Sequence, residues 1–201
     1  MTSPQKRPLY LLFDLDNVLV HKESHNLGRV DTSVFDHHVV GPRSHVWLRP
    51  CLVSFFDDLV GELAKRHLDV RLGVWSSMTQ KNVDAIVDIL HSTLTQVTFE
   101  VVLHRTDCQL APTTYDRYAT RKLLSSVKFP PAQDTLVLDN DLSKIGGNPP
   151  EHIMQAPEFD LNKLLANKTS PTYFAKLDDC NMRYFAHVVA DRLMVLAQKQ
   201  L

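Results

Sequence analysis

Two aspartates separated by one residue, Asp14 and Asp16, close the apolar run Leu9–Phe13. Two further apolar runs end in related chemistry: Leu68–Trp75 leads into Ser76-Ser77, and Leu136–Leu138 leads into Asp139-Asn140-Asp141. Between them lies Lys122. These residue types suit the hydrolysis of a phosphate ester through a carboxylate. Such an ester is a poor electrophile wrapped in negative charge, so a divalent cation and a fixed ammonium must neutralise its oxygens. A second acid must protonate the leaving oxygen and later deprotonate water. Side chains alternate along a strand, so Asp14 and Asp16 project to the same side. Asp14 can then be the nucleophile and Asp16 the acid and base. Asp139 completes an oxygen-rich site of the kind Mg²⁺ prefers. Ser76 can hydrogen-bond a phosphoryl oxygen, and Lys122 can supply positive charge.

The elements that must position these residues alternate. Leu9–Leu15 reads as a strand buried on both faces. Cys51–His67 carries Leu52, Phe55, Phe56, Leu59 and Leu63 at helical spacing, and Leu68–Trp75 is a second strand. A second helix begins after Ser77 or Thr79, with Val83, Ile86, Val87 and Leu90 on one face. Phe99–Leu103 is a third strand, Tyr115–Val127 a third helix that would carry Lys122, Leu136–Leu138 a fourth strand and Ile153-Met154 a fifth. A last helix spans about Met182 to Gln198, with Phe185, Val188, Val189, Leu193 and Leu196 as its buried stripe, and Tyr184 and Met194 are taken as core with it. This order predicts an α/β fold with a mainly parallel sheet, in which ligands lie outside the carboxyl ends of the strands. Asp36–Val40 and His45–Leu48 flank Gly41-Pro42-Arg43-Ser44 and read as a hairpin within a polar, histidine-rich stretch. Its histidines, His21, His25, His37, His38 and His45, lack Cys or carboxylate partners at ligand spacing and are read as solvent-exposed.

Composition narrows the class. The chain has 201 residues, 44% hydrophobic and 22% charged, which suits one domain spanning 1–201. With 22 basic against 23 acidic residues, it has no basic footprint for nucleic acid. Its apolar runs are too short to cross a bilayer, and nothing at the start reads as a secretory signal. The cysteines Cys51, Cys108 and Cys180 form neither a disulfide framework nor a zinc pattern, which favours a reducing, intracellular compartment. Cytoplasm or nucleus is expected, with the mitochondrion left open.

In sequence, Phe13-Asp14-Leu15-Asp16-Asn17-Val18-Leu19 resembles the first motif of the haloacid dehalogenase superfamily. More closely, the chain resembles its FCP/SCP-type protein phosphatases, of the NLI-interacting-factor kind. The supporting pieces follow in order: Leu19-Val20-His21, Leu48-Arg49-Pro50, Val74-Trp75-Ser76-Ser77, His104–Cys108, the Lys122 region, Leu138-Asp139-Asn140 and Asn148-Pro149-Pro150. The resemblance implies a three-layer Rossmannoid sandwich with a small flap at about 21–48 and a C-terminal helix at about 182–198. It implies Asp14 as phosphorylated nucleophile and Mg²⁺ ligand, and Asp16 as general acid/base whose carbonyl also binds the metal. Ser76 would hold the phosphoryl group, Lys122 would be the third-motif lysine, and Asp139 and Asn140 would hold Mg²⁺ directly or through water. Val18 replaces the commoner Thr, Asp141-Leu142 stands where Ser-Pro is usual, and the spacing of Lys122 to the fourth motif leaves Lys128 as a second choice.

No gap between these motifs can house a large cap domain. The expected substrate is therefore a phosphoprotein, through phosphoserine or phosphothreonine, with no nucleic-acid or membrane partner. Two other readings stand beside it: a catalytically silent relative serving as a binding subunit of a larger assembly, and an uncapped phosphatase of small molecules.

Overall fold

The computed structural model describes residues 7–27, 30, 33–111 and 119–200. The chain order is β1 (Leu9–Phe13), β2 (Val20–Glu23), β3 (His37–Val39), β4 (His45–Leu48), α1 (Leu52–Lys65), β5 (Val70–Trp75), α2 (Gln80–Thr93) and β6 (Phe99–Leu103). It continues with β7 (Gln109–Leu110), β8 (Thr120–Arg121), β9 (Thr135–Asp139), α3 (Leu142–Ile145), β10 (Ile153–Gln155), α4 (Leu161–Ala166) and α5 (Pro171–Gln198). Five strands form the central sheet in the order β10-β9-β1-β5-β6, every pairing parallel.

Alternation along β1 divides the core. Leu9, Leu11 and Phe13 join α1, α2 and α5 in the larger cluster. Tyr10 and Leu12 face a smaller one with Trp75, Val137, Leu124 and Ile145. Gly73 on β5 sits where its neighbours leave no room for a side chain: a Cβ there would lie 2.6 Å from the Val101 carbonyl and 2.7 Å from Leu12 Cδ2.

The layer on the second face is thin. The helix expected over 115–127 is not formed in its described part, where residues 119–127 hold β8 and a single 3₁₀ turn at Leu124–Ser126, and 115–118 lie outside the described residues. Leu124 does sit inside, but the backbone is satisfied by other partners. The Lys122 N–H donates to the Lys144 carbonyl, and Asn148 accepts from the Leu124 N–H while donating to the Lys122 carbonyl. No i→i−4 ladder is needed.

The hairpin around Gly41 is present as β3–β4 and gains a strand, because β2 pairs with the other side of β4. Beneath it lies a separate cluster of Phe35, Trp47, Phe159 and Leu161. The flap histidines are not uniformly exposed. His21 is buried, and the rings of His37, His45 and Trp47 stack on one another. A strand residue in register with a buried Trp packs against it, as His21 and His37 do on either side of Trp47.

The C-terminal helix is longer than expected. Ser170 caps it by accepting from the Tyr173 N–H, and Pro171 occupies its first position. Ser-Pro is a helix start signal. Phe185 is buried, but Tyr184 is 72% exposed and is not core. Among the described residues, no helix is long and apolar enough to cross a membrane.

Candidate active site

The ends of β1, β5 and β9 meet at one edge of the sheet, where parallel strands place their C-termini together. Asp14 continues β1: its N–H donates to the Leu138 carbonyl at 2.8 Å. Its side chain is buried, and Oδ1 accepts from the Leu15 N–H at 2.8 Å. The Lys122 ammonium lies 2.8 Å from the same oxygen and 2.6 Å from Asp139 Oδ2. Asp139 Oδ1 accepts from the Asp141 N–H at 2.9 Å. One buried cation therefore holds two buried carboxylates on neighbouring strands. Burial acts against the Lys122 charge, but Asp14 and Asp139 outweigh it and hold its pKa above the usual lysine value. Burial first, and then the charge of Asp14, push Asp139 above the carboxylate range.

Asp16 sits beyond Asp14, its Oδ1 accepting from the Lys22 N–H at 3.0 Å. Burial raises its pKa to about 6, with Asp14 adding to the rise and the Lys22 amide opposing it. A carboxyl in that range can both give and take a proton near neutral pH. Ser76 ends β5, buried, with its Oγ accepting from the Met78 N–H at 3.3 Å, which leaves its hydroxyl proton to give. Lys128 is exposed on the surface, and of the two candidate lysines only Lys122 reaches the site.

Asp14, Ser76, Lys122 and Asp139 are thus all buried at this edge, with Asp16 and Asn140 beside them. Two buried oxygens, Asp14 Oδ2 and Asn140 Oδ1, have no hydrogen-bond partner among the described residues. Leaving such atoms unmatched is costly, and a hard cation taking oxygen ligands would satisfy both. No group of three or more His, Cys, Asp or Glu converges as a metal cage among the described residues. Both Asp139 oxygens are engaged, by Lys122 and the Asp141 N–H, so Asp139 reaches a metal only through water. An Asp14 oxygen, the Asn140 amide oxygen, the expected Asp16 carbonyl and water fit Mg²⁺, which keeps much of its water.

Asn148 and His21 were not assigned roles by sequence reasoning. Asn148 Nδ2 donates to the carbonyls of Lys122 at 2.7 Å and Ile145 at 2.8 Å, so it fixes the backbone that presents the ammonium. His21 Nδ1 pairs with Asn17 Oδ1 at 2.8 Å. Asn17 has φ +60, a left-handed conformation that Asn tolerates, and it lets the chain turn back directly after Asp16. An Asn-Pro after a strand and a His after an Asp-x-Asp loop are visible signals, but their partners are not.

Asp141 has another use. Its Oδ1 accepts from the Ser143 N–H at 2.9 Å and caps α3, a role Asp fills well. Hydrogen bonding from the Ser143 side chain first, with its backbone N–H adding to it against burial, holds the Asp141 pKa below the usual carboxylate value.

A family model described as "NLI interacting factor-like phosphatase" matches residues 9–174. In fold the chain is similar to the structure of Fcp1, an essential RNA polymerase II CTD phosphatase, with TM-score 0.51 and 17% identity, covering 87% of this chain and 51% of that one. It is similar also to a variant of fission yeast RNA polymerase II CTD phosphatase Fcp1 bound to beryllium fluoride, with TM-score 0.52 and 17% identity, covering 96% of this chain and 54% of that one. The chain spans about half the length of these solved structures. No curated protein matches it. With the family model extending from the first residue of β1 into the start of α5, the chain belongs to the NLI interacting factor-like phosphatase family, of haloacid dehalogenase fold.

Proposed function

We propose that the protein hydrolyses phosphoserine or phosphothreonine in proteins, with Mg²⁺, through an aspartyl-phosphate at Asp14. The observation that carries this reading is the buried Lys122 ammonium shared by Asp14 and Asp139 while Asp14 Oδ2 has no partner among the described residues. Lys122 holds Asp14 in place, and an Asp14 carboxylate oxygen attacks phosphorus while the other stays with the neighbouring positive charge. As the ester bond breaks, Asp16 gives its proton to the leaving oxygen. In the second step Asp16 takes a proton from the water that attacks the phosphorylated Asp14. Ser76 donates to an equatorial oxygen, and Lys122 offsets the charge that gathers there. Asp14, the Asp16 carbonyl and Asn140, with Asp139 through water, would hold Mg²⁺, which would supply further charge neutralisation when bound.

A protein substrate is supported by the open rim. A groove of about 490 Å³ runs between the β3–β4 tip, with Val39 and Arg43, and α2, with Lys81 and Ile89. Its lining includes none of the catalytic residues, so it offers room beside the proposed chemistry for a substrate larger than a metabolite. Activity is favoured over a silent binding subunit because Asp141 acts as a helix cap and Lys122 reaches the nucleophile.

The test is turnover of an aryl phosphate with and without Mg²⁺, beside Asp14→Asn. Mg²⁺-dependent turnover lost in a folded Asp14→Asn protein is expected. Equal turnover in the variant would remove Asp14 as nucleophile.

A further inference from the structure

The proposed chemistry leaves two cations beside Asp16 without a role. Lys22 lies on β2, and its N–H donates to Asp16 Oδ1 at 3.0 Å, so its side chain starts next to the acid/base. His21 and Glu23 alternate to the opposite face of that strand. Lys144 lies on α3, and its carbonyl accepts from the Lys122 N–H at 2.8 Å. One lysine thus comes from the flap side and the other from the β9 side, with Asp16 between them. Both ammonium groups are close enough to Asp16 to pull its pKa down against burial.

Both residues are half-buried, and among the described residues neither ammonium makes a salt bridge or a hydrogen bond, although Lys144 also acts on Asp141. Lys65, Lys163 and Lys199 each reach a glutamate, Lys122 reaches two aspartates, and the other described lysines without such a partner, Lys81, Lys128, Lys168 and Lys176, are exposed. Half-buried cations of one sign that face a common site and lack partners favour an incoming anion. The transferring phosphoryl group already has Lys122 on the Asp14 side. Asp16 faces the leaving oxygen, so cations flanking Asp16 meet the body of the leaving group.

We propose that Lys22 and Lys144 bind a second anionic group on the leaving-group side, so that the preferred substrate is a phosphorylated segment carrying another phosphate or acidic side chains close by. The proposal takes its orientation from the phosphatase reading above, but anion preference can be read by binding alone.

The experiment compares peptides of one sequence around a single phosphoserine: neutral flanks, a neighbouring second phosphoserine, and neighbouring aspartates. Wild type, Lys22→Gln and Lys144→Gln are assayed for kcat/KM on each. Wild type is expected to prefer both anionic peptides over the neutral one by about tenfold or more, the scale of one partly screened ion pair. Each substitution should cut that ratio, and 1 M salt should flatten it. A preference for the second phosphate alone would narrow the anion to a dianion. Equal kcat/KM on all three peptides in wild type, or a ratio unmoved in both variants, overturns the proposal. Fluorescence anisotropy with Asp14→Asn protein, alone and combined with each lysine substitution, reads the same ranking without turnover. If no aryl phosphate or peptide is hydrolysed, the phosphatase reading fails, while the binding ranking still decides this one.

Discussion

Lys122 is wholly buried with its ammonium between Asp14 and Asp139, so removing it leaves two carboxylates facing each other without compensation. Lys122→Met is expected to destabilise the fold by about 3–5 kcal/mol, the usual cost of breaking a buried ion pair on one side. Burial and the charge of Asp14 already hold the Asp139 pKa up while Lys122 opposes them, so without the ammonium Asp139 binds a proton more tightly folded than unfolded, and the variant should be more stable at pH 5 than at pH 8. Urea unfolding at both values checks it, and a variant as stable as wild type at pH 8 would contradict the pairing. Asp16, at about 6, predicts a different profile. Its acid form protonates the leaving oxygen, so kcat/KM for an alkyl phosphate should fall as pH rises through about 6. An aryl phosphate, with a better leaving group, should show a weaker fall. A flat alkyl profile to pH 8 would exclude Asp16 as the acid.

At the scale of elements, the site depends on β1, β5 and β9 ending level. Gly73 keeps β5 close to both neighbours, since it pairs with Leu12 on one side and Val101 on the other. Gly73→Ala should destabilise by about 1–3 kcal/mol through overpacking, and more if the Val101 backbone cannot move. Because β5 carries Ser76, activity should fall beyond the loss of folded protein. The check is kcat measured beside the urea midpoint. A neutral substitution would mean that the sheet opens readily at this point. The segment that carries Lys122 shows a second way of fixing a residue, in which Asn148 and the end of α3 hold an irregular stretch by three hydrogen bonds.

Across the whole molecule, Arg49 joins the catalytic loop to the far end of the chain. It donates to the Val18 carbonyl at 2.9 Å, to the Pro157 carbonyl at 2.7 Å, and by two bonds to Asp178 on α5. Asp178 also accepts from the Cys51 thiol, and burial pushes that thiol's pKa well up, so Cys51 stays a neutral donor. Asp178→Asn leaves the guanidinium buried with reduced compensation and should cost about 3–5 kcal/mol. The pair Arg49→Met with Asp178→Leu should cost less than the two single changes added together, because neither partner is left charged. A double-mutant cycle by urea unfolding measures the coupling. Additive losses would mean that Arg49 acts only through the two carbonyls.

The chemistry at the strand ends, and the parallel order that gathers it, are legible in contiguous residues. Buried strands read as continuous apolar runs, and Asp14, Asp16, Ser76 and Asp139 stand directly after such runs, so local pattern and site coincide. The helix faces of α1 and α2 were legible for the same reason, since their apolar spacing is a property of contiguous residues. How Lys122 reaches the nucleophile depends on long-range contacts. Its backbone partners, Lys144 and Asn148, are far along the chain, and no local period encodes them. The full length of α5 was hidden because its first turns pack around Asp178 and Phe174 rather than along one apolar stripe. The flap histidines were misplaced because stacking on Trp47 depends on strand register, which forms only when β2, β3 and β4 come together.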